Sequence, residues 1–344
     1  MATRWTSKHT GQKIDDTIDC VCNPNLLDNW YFANPVNQRG GYVVPKNTVF
    51  YNESTLTTER GTISQAYYPA QYVNETYGKI TFSGGSVAYV KRSDMTRGYT
   101  GAGYGIDRWK SSNSNLTVSL TGNGIVLSSG SAASYLSQYF DAGIPSEGNY
   151  TISTLVEAIT GTAYFQVIYA DGTYGTAMKL TTGLNALTVK ATKTISRVLF
   201  QINSGSSVTV KAVKLELGSQ QTLAHRDADG NWVLNEIPDY GEQLRRCQYY
   251  SRFFGYDIEI PCSNNPDGKH IEGTLPLTMR SGNGSISYSD GFLFTGNGTF
   301  YTVTNANVSS NGGRVKIGVN VSGQLQSNMQ ATLYLRDCSI LFDL

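Results

Sequence analysis

The chain has 344 residues, enough for two or three domains with a sizeable core. Only 15% of the residues are charged and the formal net charge is +1, so there is no basic field for a phosphate backbone, which argues against general nucleic-acid binding. Glycine (36) and tyrosine (23) are abundant. With Ser, Thr and Asn they give the hydroxyl- and amide-rich profile of an all-β secreted or assembly protein.

In chain order, Ile14, Ile18 and Val21 fall at helical spacing within 10–22, which predicts a short amphipathic helix. A stripe this narrow wants a partner, and 1–22 reads as an anchor or oligomerisation segment. The Met1-Ala-Thr-Arg-Trp-Thr start lacks the apolar core of a signal peptide, and no run of 18 apolar residues predicts a membrane span. No membrane partner is expected.

Pro24 ends the helix, and Asn25-Leu-Leu-Asp-Asn-Trp-Tyr-Phe32 reads as a buried first strand. Residues 42–92 read as a β-rich insertion with runs at Val43-Val44, Val49–Tyr51, Ile80–Phe82 and Val87–Val90. Its tyrosine-rich centre, Gln65–Tyr77, has the composition of an exposed loop, and Gly101-Ala-Gly-Tyr-Gly105 reads as a tight turn.

From 105 to 218 the pattern alternates in period two, with turn residues every eight to twelve positions. Strands are predicted at Leu116–Leu120, Gly124–Leu127, Ala133–Phe140, Tyr150–Glu157, Ala163–Tyr169, Leu184–Val189, Val198–Ile202 and Val208–Leu217. That spacing predicts a β-sandwich.

The polar run Gly218–Gly230 reads as a crossing and Asp239–Tyr250 as a short helix, so 219–250 forms a linker between two halves. The remainder, 251–344, reads as a second β domain, with strands at Ile258–Ile260, Ile271–Leu277, Ser285–Tyr288, Phe292–Phe294, Thr299–Val303, Arg314–Val321, Ala331–Leu335 and Ser339–Phe342.

Few residues carry reactive chemistry. Five cysteines (Cys20, Cys22, Cys247, Cys262, Cys338) cannot all pair within one chain and match no four-ligand zinc spacing, so they read as buried free thiols. Asp227-Ala-Asp-Gly230 lacks the later ligands of a calcium loop and reads as a turn. Three histidines lie in three separate segments. No catalytic residue, cofactor or metal site is expected.

Three motifs carry a family resemblance: Asn25–Phe32, Asn37-Gln-Arg-Gly40 with Gly101–Trp109, and Leu215-Glu-Leu-Gly218 followed by Tyr240-Gly-Glu-Gln-Leu-Arg-Arg-Cys-Gln-Tyr-Tyr250. Together they resemble fibre-like structural proteins of tailed bacteriophages and prophages over about residues 23–280. Leu275-Pro-Leu-Thr-Met-Arg280 is similar to a strand of phage-fibre C-terminal domains. The resemblance implies that 23–218 is a carbohydrate-binding-module-like jelly-roll tolerating the 42–92 insertion. It also implies a virion location and names no receptor; with the Ile14, Ile18 and Val21 stripe it leads to the expectation of a homotrimer attached to other virion proteins through the N-terminus, and a host-surface glycan is the partner to look for. Aromatic faces cover the apolar side of a sugar, which makes Trp30, Tyr31, Tyr104, Arg108, Trp109 and Tyr135 the candidate glycan contacts. A polysaccharide depolymerase and a non-binding spacer or capsid decoration protein are the alternatives.

Overall fold

The computed structural model describes residues 23–38, 40–65, 67–254, 258–264, 270–295, 298–323, 325 and 330–342. Ile14, Ile18 and Val21, with Cys20 and Cys22, lie outside them. The described residues are nearly all β, with one α-helix at Tyr240–Gln248. The chain divides into two compact units, Met1–Tyr240 and Gly241–Leu344.

Two antiparallel sheets build the first unit. The larger runs Gly183–Lys190, Asn149–Thr160, Ser207–Leu217, Gly124–Ser129, Leu116–Thr121 and Thr96–Thr100, then continues into six strands of the insertion. The smaller runs Met178–Lys179, Ala163–Tyr169, Ile195–Ile202, Ser134–Ile144, Trp109–Ser111 and Gly103–Ile106. Period-two alternation sends one side chain in two inward from each sheet, and both sets join one hydrophobic cluster. Trp109, Phe32, Phe165, Phe200, Leu116 and Ile125 are fully buried there, with Phe165 stacked on Phe200 at 4.3 Å between ring centroids.

Ser207–Leu217 is the strand through which the first unit is tied together. One edge pairs along its length with Asn149–Thr160, and part of the other pairs with Gly124–Ser129 through Ser207–Val210. Beyond Val210 that second edge is taken over by the 25–32 segment. Phe32 N–H donates to the Lys211 carbonyl at 2.8 Å, Val213 N–H to that of Trp30 at 3.1 Å, and Leu26 N–H to that of Leu215 at 2.9 Å. The Asn25 side chain adds two bonds, donating to the Val213 carbonyl and accepting from Leu215 N–H. The expectation of a regular strand at Asn25–Phe32 is corrected here. Only Tyr31 forms a ladder bridge, to Ala212, because Asn29 turns the backbone left-handed at φ 49°.

The far face of the same strand carries Lys214 and Glu216, both completely buried and 3.4 Å apart. Residues after Gly218 cross over them: Lys214 Nζ donates to Thr222 Oγ1 at 2.6 Å, and Thr222 donates to Glu216 through its amide at 2.8 Å and through its hydroxyl. The crossing ends in a hairpin, Ala224–Arg226 with Trp232–Leu234, whose Asp227–Asn231 turn is closed by bonds to the Asp227 carboxylate.

The insertion joins the main sheet where Tyr42–Pro45 pairs with Thr96–Thr100. It has its own small core of Val44, Ile63, Ile80, Ala88, Val90 and Met95. Its tyrosine-rich centre, expected as a loop, contains the strand Tyr67–Tyr72. Alternation is masked there because this strand is mostly solvated on both faces, so period two carries no hydrophobic signal.

In the second unit six strands close into a barrel: Phe300–Ser310, Asp290–Thr295, Gln330–Arg336, Ile258–Asn264, His270–Leu275 and Val315–Val321, which pairs back to the first. Closure gives each of these strands a neighbour on both sides, which is how barrels manage their edges. Ile260, Ile271, Leu293, Ile317 and Leu333 fill the core. The strand expected to reach Leu277 ends at Leu275, before Pro276, and Met279 instead plugs the core while Arg280 N–H donates to the Tyr249 carbonyl.

Two expected outcomes follow from this packing. Because the main core draws nothing from 42–92, replacing that stretch by a short Gly-Ser bridge leaves cooperative unfolding followed by the fluorescence of Trp30 and Trp109. A broad, non-cooperative melt contradicts this.

Burial pushes the Cys262 and Cys338 thiols up to about 12. A thiol raised in the fold contributes stability fully present below its ordinary value of about 8.5 and lost as pH climbs toward 12. Neither is alkylated by iodoacetamide in the native protein at pH 8, as read by mass spectrometry, whereas both react in urea. Modification of either one in the native protein contradicts the assignment.

Candidate functional site

The glycan-contact candidates separate into two groups. Trp30 is 3% exposed and Trp109 0% exposed, so no sugar can reach either ring, and both are corrected to core residues. Arg108, also buried, is corrected to a structural residue: its Nε donates to the Asp28 carboxylate at 3.0 Å and its Nη2 to the Tyr139 carbonyl at 2.9 Å. Tyr31 is half-buried on the other sheet, edge-on to Trp30, and shares no surface with the rest.

Arg108 and Trp109 belong to an interlocked network that joins Asp28 and Asn29 to Val36, Gln38, Asp107 and Gln138. Asp28 N–H donates to Gln138 Oε1 and Gln138 Nε2 donates back to the Asp28 carbonyl, both at 2.7 Å. Asn29 Nδ2 reaches the carbonyls of Val36 and Asp107, the Trp109 indole N–H donates to the Asn29 carbonyl, and Gln38 Nε2 donates to the Asp107 carboxylate. Arg108 sits at φ 71° in the two-residue turn between Ile106 and Trp109. Left-handed backbone at a non-glycine costs of order 1 kcal/mol or more and persists where neighbours over-determine it. The network does so at both Asn29 and Arg108. Gly105 has a separate reason to be glycine: a Cβ there would lie 1.5 Å from the Tyr99 ring.

Tyr104 and Tyr135, by contrast, are brought together. Residues paired across antiparallel strands share a face. Tyr104 pairs with Lys110 and Lys110 with Ser137, while Tyr135 pairs with Gln201 and Gln201 with Tyr164. Tyr139 pairs with Arg197 one row further along. The outer face of the six-stranded sheet therefore carries four half-buried tyrosines, three cations (Lys110, Arg197 and, paired with Tyr164, Lys179) and the Gln201 amide, over a floor closed by Gln166, Leu199 and Ile168.

Cations hold the rings in place. Arg197 lies 4.9 Å from the Tyr139 ring centroid and donates to its hydroxyl, and Lys110 lies 5.6 Å from the Tyr104 ring and 6.0 Å from that of Tyr139. Such contacts contribute roughly 0.5–1 kcal/mol each at exposed sites and cost the rings little freedom, since a tyrosine has only two side-chain torsions. Gln201 Nε2 donates to Asn203 Oδ1 at 3.1 Å. The arrangement can stack apolar faces and hydrogen-bond hydroxyls. Among the described residues no group of three His, Cys, Asp or Glu is placed to hold a metal.

Tyr139 was legible as the i+4 neighbour of Tyr135 on one strand. Lys110, Tyr164, Arg197 and Gln201 come from other strands, and no signal along the chain links them.

No family model matches the chain, and no curated protein matches it. Among solved structures it is similar to the triple jelly roll fold and turret assembly of an archaeal virus, at 12% identity and TM-score 0.15, covering 88% of this chain and 78% of that one. A mutant of Bacillus subtilis oxalate decarboxylase shows 9% identity and TM-score 0.13, covering 67% and 76% of the two chains. The N-terminal domain of a Streptococcus gordonii adhesin shows 11% identity and TM-score 0.13, covering 92% and 86%. At these scores none of the three carries an argument about fold or function.

Proposed function

We propose that the chain is a non-enzymatic bacteriophage virion protein, a fibre-like appendage of tail or capsid whose first unit is a carbohydrate-binding-module-like jelly-roll. The motif resemblance supports the virion reading. The same resemblance supports a homotrimer that joins other virion proteins through residues 1–22. A single observation carries the binding reading: the outer face of the six-stranded sheet presents Tyr104, Tyr135, Tyr139 and Tyr164 with Lys110, Arg197 and Gln201. Rings in neighbouring rows of one sheet face suit an extended host-surface glycan, stacking on its apolar faces while the amide and cations bond its hydroxyls.

A glycan array with the full-length protein tests this. Binding is expected, and Tyr135→Ala weakens it about tenfold, in line with the loss of one ring contact worth roughly 1 kcal/mol beyond its buried area. Tyr135 is half-buried on the outer face, so its truncation leaves the core and the melting temperature nearly unchanged. An array with no binding favours a spacer, and release of reducing sugar from a bound glycan favours a depolymerase. Either result contradicts the proposal.

A further inference from the structure

The barrel of the second unit has an outward groove of about 660 Å³, within the size range of small-ligand sites. Its walls come from four neighbouring strands, and their polarity is graded. At one end stand Glu272 and Thr274, in the middle Ser263, Pro261 and Thr332, and at the other end Phe294. Cys262, Gly273 and Ala331 make the floor, where a Cβ on Gly273 would meet Cys262 Sγ at 2.6 Å, so the groove is closed beneath.

The aromatic end does not stop at Phe294. Phe294 packs on Phe300 at 4.8 Å between centroids, Phe300 on Phe292 at 6.0 Å, and Phe292 stacks on Tyr334 at 5.0 Å and 17°. Phe300 remains 65% exposed. An exposed aromatic row running into a groove lined by three hydroxyls and a carboxylate is poorly suited to an apolar partner, which would leave those groups unpaired on burial. Its chemistry matches a saccharide, whose rings offer apolar faces to the phenyl groups and hydroxyls to Ser263, Thr274, Thr332 and Glu272. Charge narrows the class. Glu272 is paired with Lys316 at 2.5 Å, so this end is near neutral and offers no net charge to favour an ionic ligand over a neutral one.

We infer that this groove is a second saccharide site, taking a neutral hexose chain with its apolar face on the Phe294–Phe300 row. It lies in the other unit and does not rest on the tyrosine face of the first.

Saturation-transfer NMR on the full-length protein with four neutral probes, malto-, cello-, manno- and galactohexaose, tests it. At least one probe is expected to bind the wild type and to keep a bound fraction with Tyr135→Ala. Phe300→Ala, which removes an exposed ring, and Glu272→Gln, which keeps size and removes charge, each weaken that remaining fraction about tenfold. Unchanged melting temperatures show that the barrel is intact in both. The inference is overturned if no hexaose binds, or if Tyr135→Ala abolishes all binding while Phe300→Ala leaves it untouched. It is equally overturned if Phe300→Ala lowers the oligomeric mass without changing sugar binding, since the row is then an interface between copies.

Discussion

Two charges hidden from water on one strand constrain much of the first unit. Lys214 and Glu216 stand on the face of Ser207–Leu217 that the crossing segment covers, and Thr222 bridges them from that segment. A buried ion pair adds little net stability compared with apolar residues of similar size, yet removing one partner strands the other at a cost of several kcal/mol. Its effect is therefore registry. A slip of the crossing by one residue would take Thr222 away from both charges, so only one alignment of the segment leaves them satisfied.

The same strand fixes what leads to the tyrosine face. Its free edge holds the 25–32 segment, and that segment carries Asp28 and Asn29 into the network around Arg108 and Trp109. Arg108 then reaches the Tyr139 carbonyl and Gln138 reaches Asp28, so the Ser134–Ile144 strand is gripped beside the tyrosines it displays. Residues 25–32 and 107–109 thereby tie the larger sheet to the smaller one, beneath the half-buried rings of its outer face.

This division explains what could be read from the chain. The strands from Leu116 to Leu217 were legible because each buries one face, which imprints period two, and Ala163–Tyr169 was placed at its observed ends. Asn25–Phe32 was misread as a regular strand because its apolar residues Leu27, Trp30 and Phe32 are buried as a strand's would be, while the turn at Asn29 is fixed by distant partners at Val36 and Asp107. Trp30 and Trp109 looked like ligand aromatics by residue type alone, and burial is a property of the fold that residue type does not report. Tyr164, Arg197 and Gln201 escaped notice because cross-strand pairing, not sequence spacing, brings them beside Tyr135.

A double-mutant cycle on the buried pair tests the registry account most directly. Lys214→Met and Glu216→Leu are compared singly and together by urea unfolding of the first unit. The account predicts that each single change costs about 3–5 kcal/mol, while the double change costs far less than their sum. Additive losses, or a single change that leaves the unfolding midpoint where it was, would contradict it.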